Sequence, residues 1–156
     1  MAATVPVGFD PKPRRLVNVR TYLLGGTVTK GMVVGYHDTG VDRGVVAHTT
    51  STGAPVGVAL QGGVSGDYIP VAGNGSELKI ELSADDGTAD AGDWLGSSAV
   101  GGTLLTHPGD LETHEGEANG YYTIAQPQED IAQGTGTVGG KGYVRINIGP
   151  IWTHES

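Results

Sequence analysis

Apolar and polar residues alternate with a period of two along most of this chain, in short runs, which is the signature of half-buried β-strands. The cleanest run is Glu77-Leu78-Lys79-Ile80-Glu81-Leu82, with Leu78, Ile80 and Leu82 directed inward. Tyr143 to Ile148 alternates in the same way through Val144, Ile146 and Ile148. Val56-Gly57-Val58-Ala59-Leu60-Gln61 reads as a buried strand, with Val56, Val58 and Leu60 on one face and a thin Gly57/Ala59 face opposite. Leu16 to Leu24 predicts a first strand with Val17, Val19 and Leu23 on one face. Thr27 to Val34 predicts strand, turn, strand, and Val45-Val46-Ala47, Tyr68 to Val71 and Thr103 to Thr106 add short strands. Pro70 places its strand at an edge or at an end. Asn74-Gly75 is a hairpin-turn signal, and Gln128 to Gln133 suits one helical turn. Trp94 and Tyr122 fall in predicted strands and are expected in the core.

The pattern occurs twice. Tyr122-Thr123-Ile124-Ala125-Gln126 echoes the Val56–Gln61 strand, with Ala125 against Ala59. Gly31-Met32-Val33-Val34 precedes the first copy and Gly92-Asp93-Trp94-Leu95 the second. Asp67 to Val71 follows the first and Gly142 to Ile146 the second. The fold class expected is all-β, a short-stranded sandwich or barrel, as two related β modules behind an extended N-terminal arm. The arm is residues 1–15 and the β domain residues 16–156, with sub-modules 16–84 and 92–156 and the acidic connection Ser83 to Gly92 as the joint.

Composition supports short strands and tight turns. The 28 glycines among 156 residues argue against long helices, where each interior Gly costs about 1 kcal/mol relative to Ala. The chain has no cysteine, which excludes disulfides and thiolate metal sites. Met1 to Asp10 holds no continuous apolar run, so no secretory leader is expected, and no apolar stretch is long enough to span a membrane. The net charge of −8 is uneven: residues 1–20 carry Lys12, Arg14, Arg15 and Arg20 against Asp10, which leaves −11 on the rest. An acidic body is a poor nucleic-acid binder, and a basic leader on it suits an acidic partner surface. Pro6, Pro11 and Pro13 keep the leader extended, with a reach of about 50 Å for 15 residues. Val5, Val7 and Phe9 on this leader, with Lys12, Arg14 and Arg15, are the candidate partner-binding residues.

No residue pattern specifies catalysis or a cofactor. Gly134-Thr135-Gly136-Thr137-Val138-Gly139 fits a G-x-G-x-x-G spacing, but a β-type run follows it where a dinucleotide site needs a helix. Asp85, Asp86, Asp90 and Asp93 lack EF-hand spacing and read as a solvated acidic turn, with calcium the alternative. His107 and His114 share a polar loop with Asp110, Glu112 and Glu115, without the rigid spacing of a zinc site. His37, His48 and His154 stand alone and carry no assigned role, and Trp152 near the end suits core or interface packing, or docking to a partner or a sugar if exposed.

The runs Thr27 to Val34, Val56 to Leu60, Leu78 to Leu82 and the closing Val144 to Ile148 together resemble the small β-rich decoration, or cement, proteins of tailed-bacteriophage heads. The resemblance covers roughly residues 16–150 as a pattern. It implies a non-enzymatic virion protein on the outer capsid surface that binds the major capsid protein and staples neighbouring subunits, as a homo-oligomer with a trimer favoured. It implies neither cofactor, nucleic acid nor membrane. Two other classes stay open: a carbohydrate- or receptor-binding β module of a fibre, marked by an exposed aromatic platform, and a β-fold hydrolase, marked by convergent carboxylates in a cleft.

Overall fold

The computed structural model describes residues 13–36, 44–48, 54–82, 88–97, 102, 104–106, 122–132, 134 and 139–150. Among them there are ten strands and no helix. The strands are β1 (Arg20–Leu24), β2 (Val33–Tyr36), β3 (Gly44–Ala47), β4 (Pro55–Ala59), β5 (Tyr68–Ala72), β6 (Glu77–Glu81), β7 (Leu95–Ser97), β8 (Leu104–Thr106), β9 (Tyr122–Pro127) and β10 (Lys141–Pro150). The first five close a barrel in the order β1-β3-β2-β4-β5, sealed by a parallel β1–β3 pair. The last five form a sheet in the order β6-β10-β9-β7-β8.

The two units repeat one pairing scheme. Traced from β1 the barrel runs β1-β5-β4-β2-β3, which is the second sheet's order element for element. The registers agree as well. Val58 pairs with Ala72 and Ala59 with Val71 in the barrel, and Gln126 pairs with Arg145 and Pro127 with Val144 in the sheet. Isolated bridges recur as Val28–Gly63 and Ala89–Ile131. The turns before β2 and β7 recur too, closed by Met32 N to Thr29 O (3.2 Å) and Asp93 N to Asp90 O (3.0 Å). Their third residues, Gly31 and Gly92, have φ of 91° and 90°, which a type II turn demands and which glycine adopts without strain. Even the irregularity repeats. Val34 faces Gly57 while Gly35 faces Pro55, so Val56 is an extra residue; Leu95 faces Ala125 while Gly96 faces Thr123, so Ile124 is its counterpart.

These registers correct several expectations. Ala125 corresponds to Gly57, and Ala59 to Pro127, so the echo read from sequence is slipped by two residues. The bulge reverses the facing of Val56, which packs on the barrel core with Ala59, while Val58 points the other way. The first strand begins only at Arg20, and Leu24 is its buried residue; Val19 is 45% exposed. Val28 makes an isolated bridge and is not part of a strand. Asn74-Gly75 is a turn, but it joins β5 to β6 across two sheets and makes no hairpin. Sheet membership therefore changes at Gly73–Ser76, ahead of the acidic connection at Ser83 to Gly92. Residues 128–132 form no helical turn: Ile131 bridges to Ala89 instead. Trp94 precedes β7 and is 44% exposed.

Two apolar clusters hold the molecule together. Leu24, Val28, Val34, Val45, Ala59, Ile69 and Val71 fill the barrel. The second cluster fills the second unit and also takes in Val33, Val58 and Ala72, which project from the outer side of β2, β4 and β5. One unit thus uses the outside of the other as part of its core. Burying Val33 and Val58 contributes about 1.5–3 kcal/mol each to that joint. Backbone bonds run beside it: Val33 N donates to Gly102 O (3.0 Å), Gly102 N to His48 O (3.0 Å), and His48 N to Val33 O (2.8 Å).

Candidate interaction surface

The chain leading into β1 is seated on the corner between the two units. Ser76, fully buried, accepts from Val17 N and donates to Val17 O, both at 2.9 Å. Gly73 N also donates to Val17 O (3.1 Å), and Asn18 Nδ2 donates to Asn74 O (3.0 Å). The same corner grips β10 from the other side: Gly75 N donates to Ile146 O, Ile146 N to Ser76 O, and Ile148 N to Asn74 Oδ1. A short Asn-Gly-Ser stretch therefore ties together segments remote in sequence.

Upstream of Val17, Arg15 forms an antiparallel bridge with Glu77 at the start of β6. Glu77 N donates to Arg15 O (2.8 Å), and Arg14 N and Arg15 N both donate to Glu77 O. The Arg14 guanidinium lies 3.5 Å from the centre of the Tyr143 ring, and Lys79 Nζ lies 5.6 Å from it. A hydrogen bond from Gln128, then the Arg145 guanidinium at 3.3 Å, hold the Glu77 carboxyl below its usual range. Of the sequence-derived binding residues, Arg14 and Arg15 thus sit on the body of their own chain, with exposed side chains. Val5, Val7, Phe9 and Lys12 lie outside the described residues.

The acidic turn serves its own backbone. Asp93 Oδ2 accepts from Asp90 N (2.9 Å) and Asp130 Oδ1 from Ala91 N (3.0 Å). Asp85, Asp86, the His107–Glu115 loop, Trp152, His37 and His154 lie outside the described residues, as does most of the glycine-rich stretch that leads into β10. His48 is buried beside the joint, and burial alone lowers its imidazole pKa to about 4.

Sequence reasoning passed over the exposed apolar residues of the barrel: Tyr36, Val64 and Tyr68, the last 68% exposed. Tyr22 and Tyr36 meet edge to face, with ring centres 6.3 Å apart, and burial followed by the neighbouring Tyr36 raises the Tyr22 hydroxyl pKa. Nothing local in the sequence marked them, because equivalence with the second unit is set by the bulged register. Tyr22 corresponds to Ile80 by register, and Ile80 is core in the second unit.

Fold and surface together define the class: an all-β protein of two tandem units with one pairing scheme and a basic leader rooted between them. No family model matches the chain, and no curated protein matches it in sequence.

Proposed function

We propose that this is a non-enzymatic structural protein of a phage virion, which binds the outer surface of the assembled capsid and staples neighbouring capsid subunits through its N-terminal leader. The observation that carries the reading is the root of that leader. Arg14 to Val17 is fixed on the corner and on Glu77 by backbone and Ser76 bonds, so a pull on the leader is resisted by both units. The bridge register continues from Arg15–Glu77 toward Pro13, and two residues earlier stands Pro11. Neither has an N–H to donate to β6, so this ladder has a chemical stop at Arg15. On this reading Val5, Val7, Phe9 and Lys12 bind the major capsid protein. A ligand that binds only the assembled shell stabilises it by mass action, and an oligomer gains further because its leaders act together.

The test uses purified shells and two proteins, the full chain and one lacking residues 1–12, which keeps the anchored Arg14–Val17 segment. Co-sedimentation of the full chain and loss of it on truncation is the expected result. Undiminished decoration by the truncated chain would overturn the leader's role. A second reading, a carbohydrate- or receptor-binding module, is favoured by the partly exposed Tyr22–Tyr36 pair. Glycan binding lost in Tyr36→Ala would select it.

A further inference from the structure

Of the asparagines among the described residues, Asn74 alone precedes a glycine. An asparagine in that position loses its side-chain amide without any enzyme, because the next backbone nitrogen attacks its Cγ. A glycine nitrogen is the least hindered, since no Cβ stands beside it. At this corner a bond would form between Gly75 N and Asn74 Cγ while the bond from Cγ to Nδ2 breaks, and the amide leaves as ammonia with the Gly75 amide proton. Water then opens the cyclic imide. Attack at Cγ gives an aspartyl residue; attack at the main-chain carbonyl gives an isoaspartyl link, in which the chain runs through the former side-chain carbon.

In the fold both reacting groups are engaged elsewhere. Asn74 Oδ1 accepts from Ile148 N (2.7 Å), and Gly75 N donates to Ile146 O (2.9 Å). Ser76 N donates to Gly73 O and Gly75 has a φ of 89°, so Asn74 and Gly75 are the middle of a type II turn, and Asn18 Nδ2 donates to Asn74 O. Closing the ring swings Asn74 Cγ and Gly75 N toward each other and breaks a bond to β10 on at least one side. Asn74 itself is exposed, so water already reaches the side chain.

We propose that Asn74 is a deamidation site that the folded corner holds in check, and that its isoaspartyl product unseats the root of the leader. The rate then reads a single local opening, the lift of Gly73–Ser76 from β10. The effect of the product follows from its position. An isoaspartyl link adds a carbon to the main chain inside a tight turn whose two ends, Gly73 N and Ser76 Oγ, both bond Val17. The turn also joins β5 to β6, and so one unit to the other. An ordinary aspartate at this place adds a charge but no chain atom, and its carboxylate still accepts from Ile148 N. Nothing in this chemistry depends on what the leader binds; it gives each molecule an age beyond which the leader's seat is loose.

Peptide mapping of the full chain, aged in mildly alkaline buffer with and without urea, tests this. Mapping separates Asn74 from Asn119, which also precedes a glycine. Asn74 converts about 100-fold or more slower in the folded protein than in urea. Ser76→Ala removes the hydroxyl clasp and speeds conversion in the folded protein about 10-fold, with amide exchange at Gly75 rising by the same factor and the rate in urea unchanged. If that variant fails to fold, Asn18→Gly, which drops the bond to Asn74 O and suits the φ of 55°, reads the same opening. For the product, chains carrying Asn119→Gln are aged in urea and refolded, beside Asn74→Asp/Asn119→Gln refolded without ageing. The aged chain shows faster amide exchange at Val17 than the aspartate variant, or fails to refold where that variant succeeds. Equal conversion in folded and unfolded protein, or variants that leave the folded rate unchanged, overturns the protection. A refolded isoaspartyl chain with wild-type exchange at Val17 overturns the consequence.

Discussion

The hydroxyl of Ser76 takes both backbone groups of Val17, accepting its N–H and donating to its carbonyl at 2.9 Å each. A side chain here does the work of a strand neighbour, and it does so where the leader, the barrel and β10 converge. Ser76→Ala leaves Val17 N–H without its partner, while Val17 O keeps Gly73 N. The expected loss is about 1–3 kcal/mol in urea unfolding, with faster hydrogen exchange at Val17. An unchanged midpoint would mean that water replaces the hydroxyl without cost.

The bridging residue Ile131 fills the space that Gly142 leaves. A Cβ on Gly142 would lie 2.5 Å from Ile131 Cγ1. In the barrel the corresponding residues are Gly63 and Ile69, and a Cβ on Gly63 would lie 2.9 Å from both Asp67 Oδ2 and Leu24 Cδ1, so the space there is filled by other partners. Gly142→Ala alone is expected to cost about 1–3 kcal/mol by overpacking, and Ile131→Ala about 2–5 kcal/mol by cavity formation. Combined, they should cost less than their sum by about 1 kcal/mol or more, because the small residue relieves the clash. Strict additivity in the double-mutant cycle would deny that Ile131 and Gly142 share one space.

Strand content and the existence of a repeat were legible because period two and the Gly31 and Gly92 turn glycines are local signals. The register was not. A bulge shifts it, and Val56 and Ile124 look in sequence like ordinary strand residues. The same bulge hid which apolar side faces which core, so Val33 and Val58 gave no sign that they belong to the other unit's cluster. Asn74-Gly75 announced a turn, but whether its flanking strands pair depends on remote residues such as Val17 and Ile148. The basic leader was visible in composition; the root that holds Arg14 over Tyr143 spans too much sequence to be read from it.

Gly57 and Ala125 occupy the same place in the two units yet differ in tolerance. A Cβ on Gly57 would run into the Ala72 carbonyl and come within 2.9 Å of Val71 Cγ1. Backbone cannot turn aside as a side chain can, so Gly57→Ala should cost as much as severe overpacking, about 3 kcal/mol. Ala125→Gly should cost only about 1 kcal/mol, chiefly through backbone entropy. Urea midpoints of the two variants measured side by side check the ranking, and equal losses would contradict it.

His48 makes the stability of the joint depend on pH. Its imidazole has a pKa of about 4 when folded, lowered by burial, against about 6.5 unfolded. Above pH 6.5 both states hold it neutral and its contribution is constant. As pH falls below 6.5 the unfolded chain binds the proton and the folded one does not, so stability drops until the folded group also titrates near pH 4. Between pH 7 and pH 5 the loss from this residue is about 2 kcal/mol. Glu77 acts in the same direction, but its contribution is lost only as pH falls below the ordinary carboxylate value, where the unfolded chain takes up the proton first, so it does not obscure this interval. Urea unfolding at pH 7 and pH 5 should show a steeper loss for the wild type than for His48→Gln, which has no proton to bind. The buried Gly102–His48–Val33 backbone bonds predict where acid acts first: amide exchange at Val33 and Gly102 should accelerate before that at Leu24 or Ile69. Parallel pH profiles for wild type and variant would show that the folded His48 titrates like an exposed one.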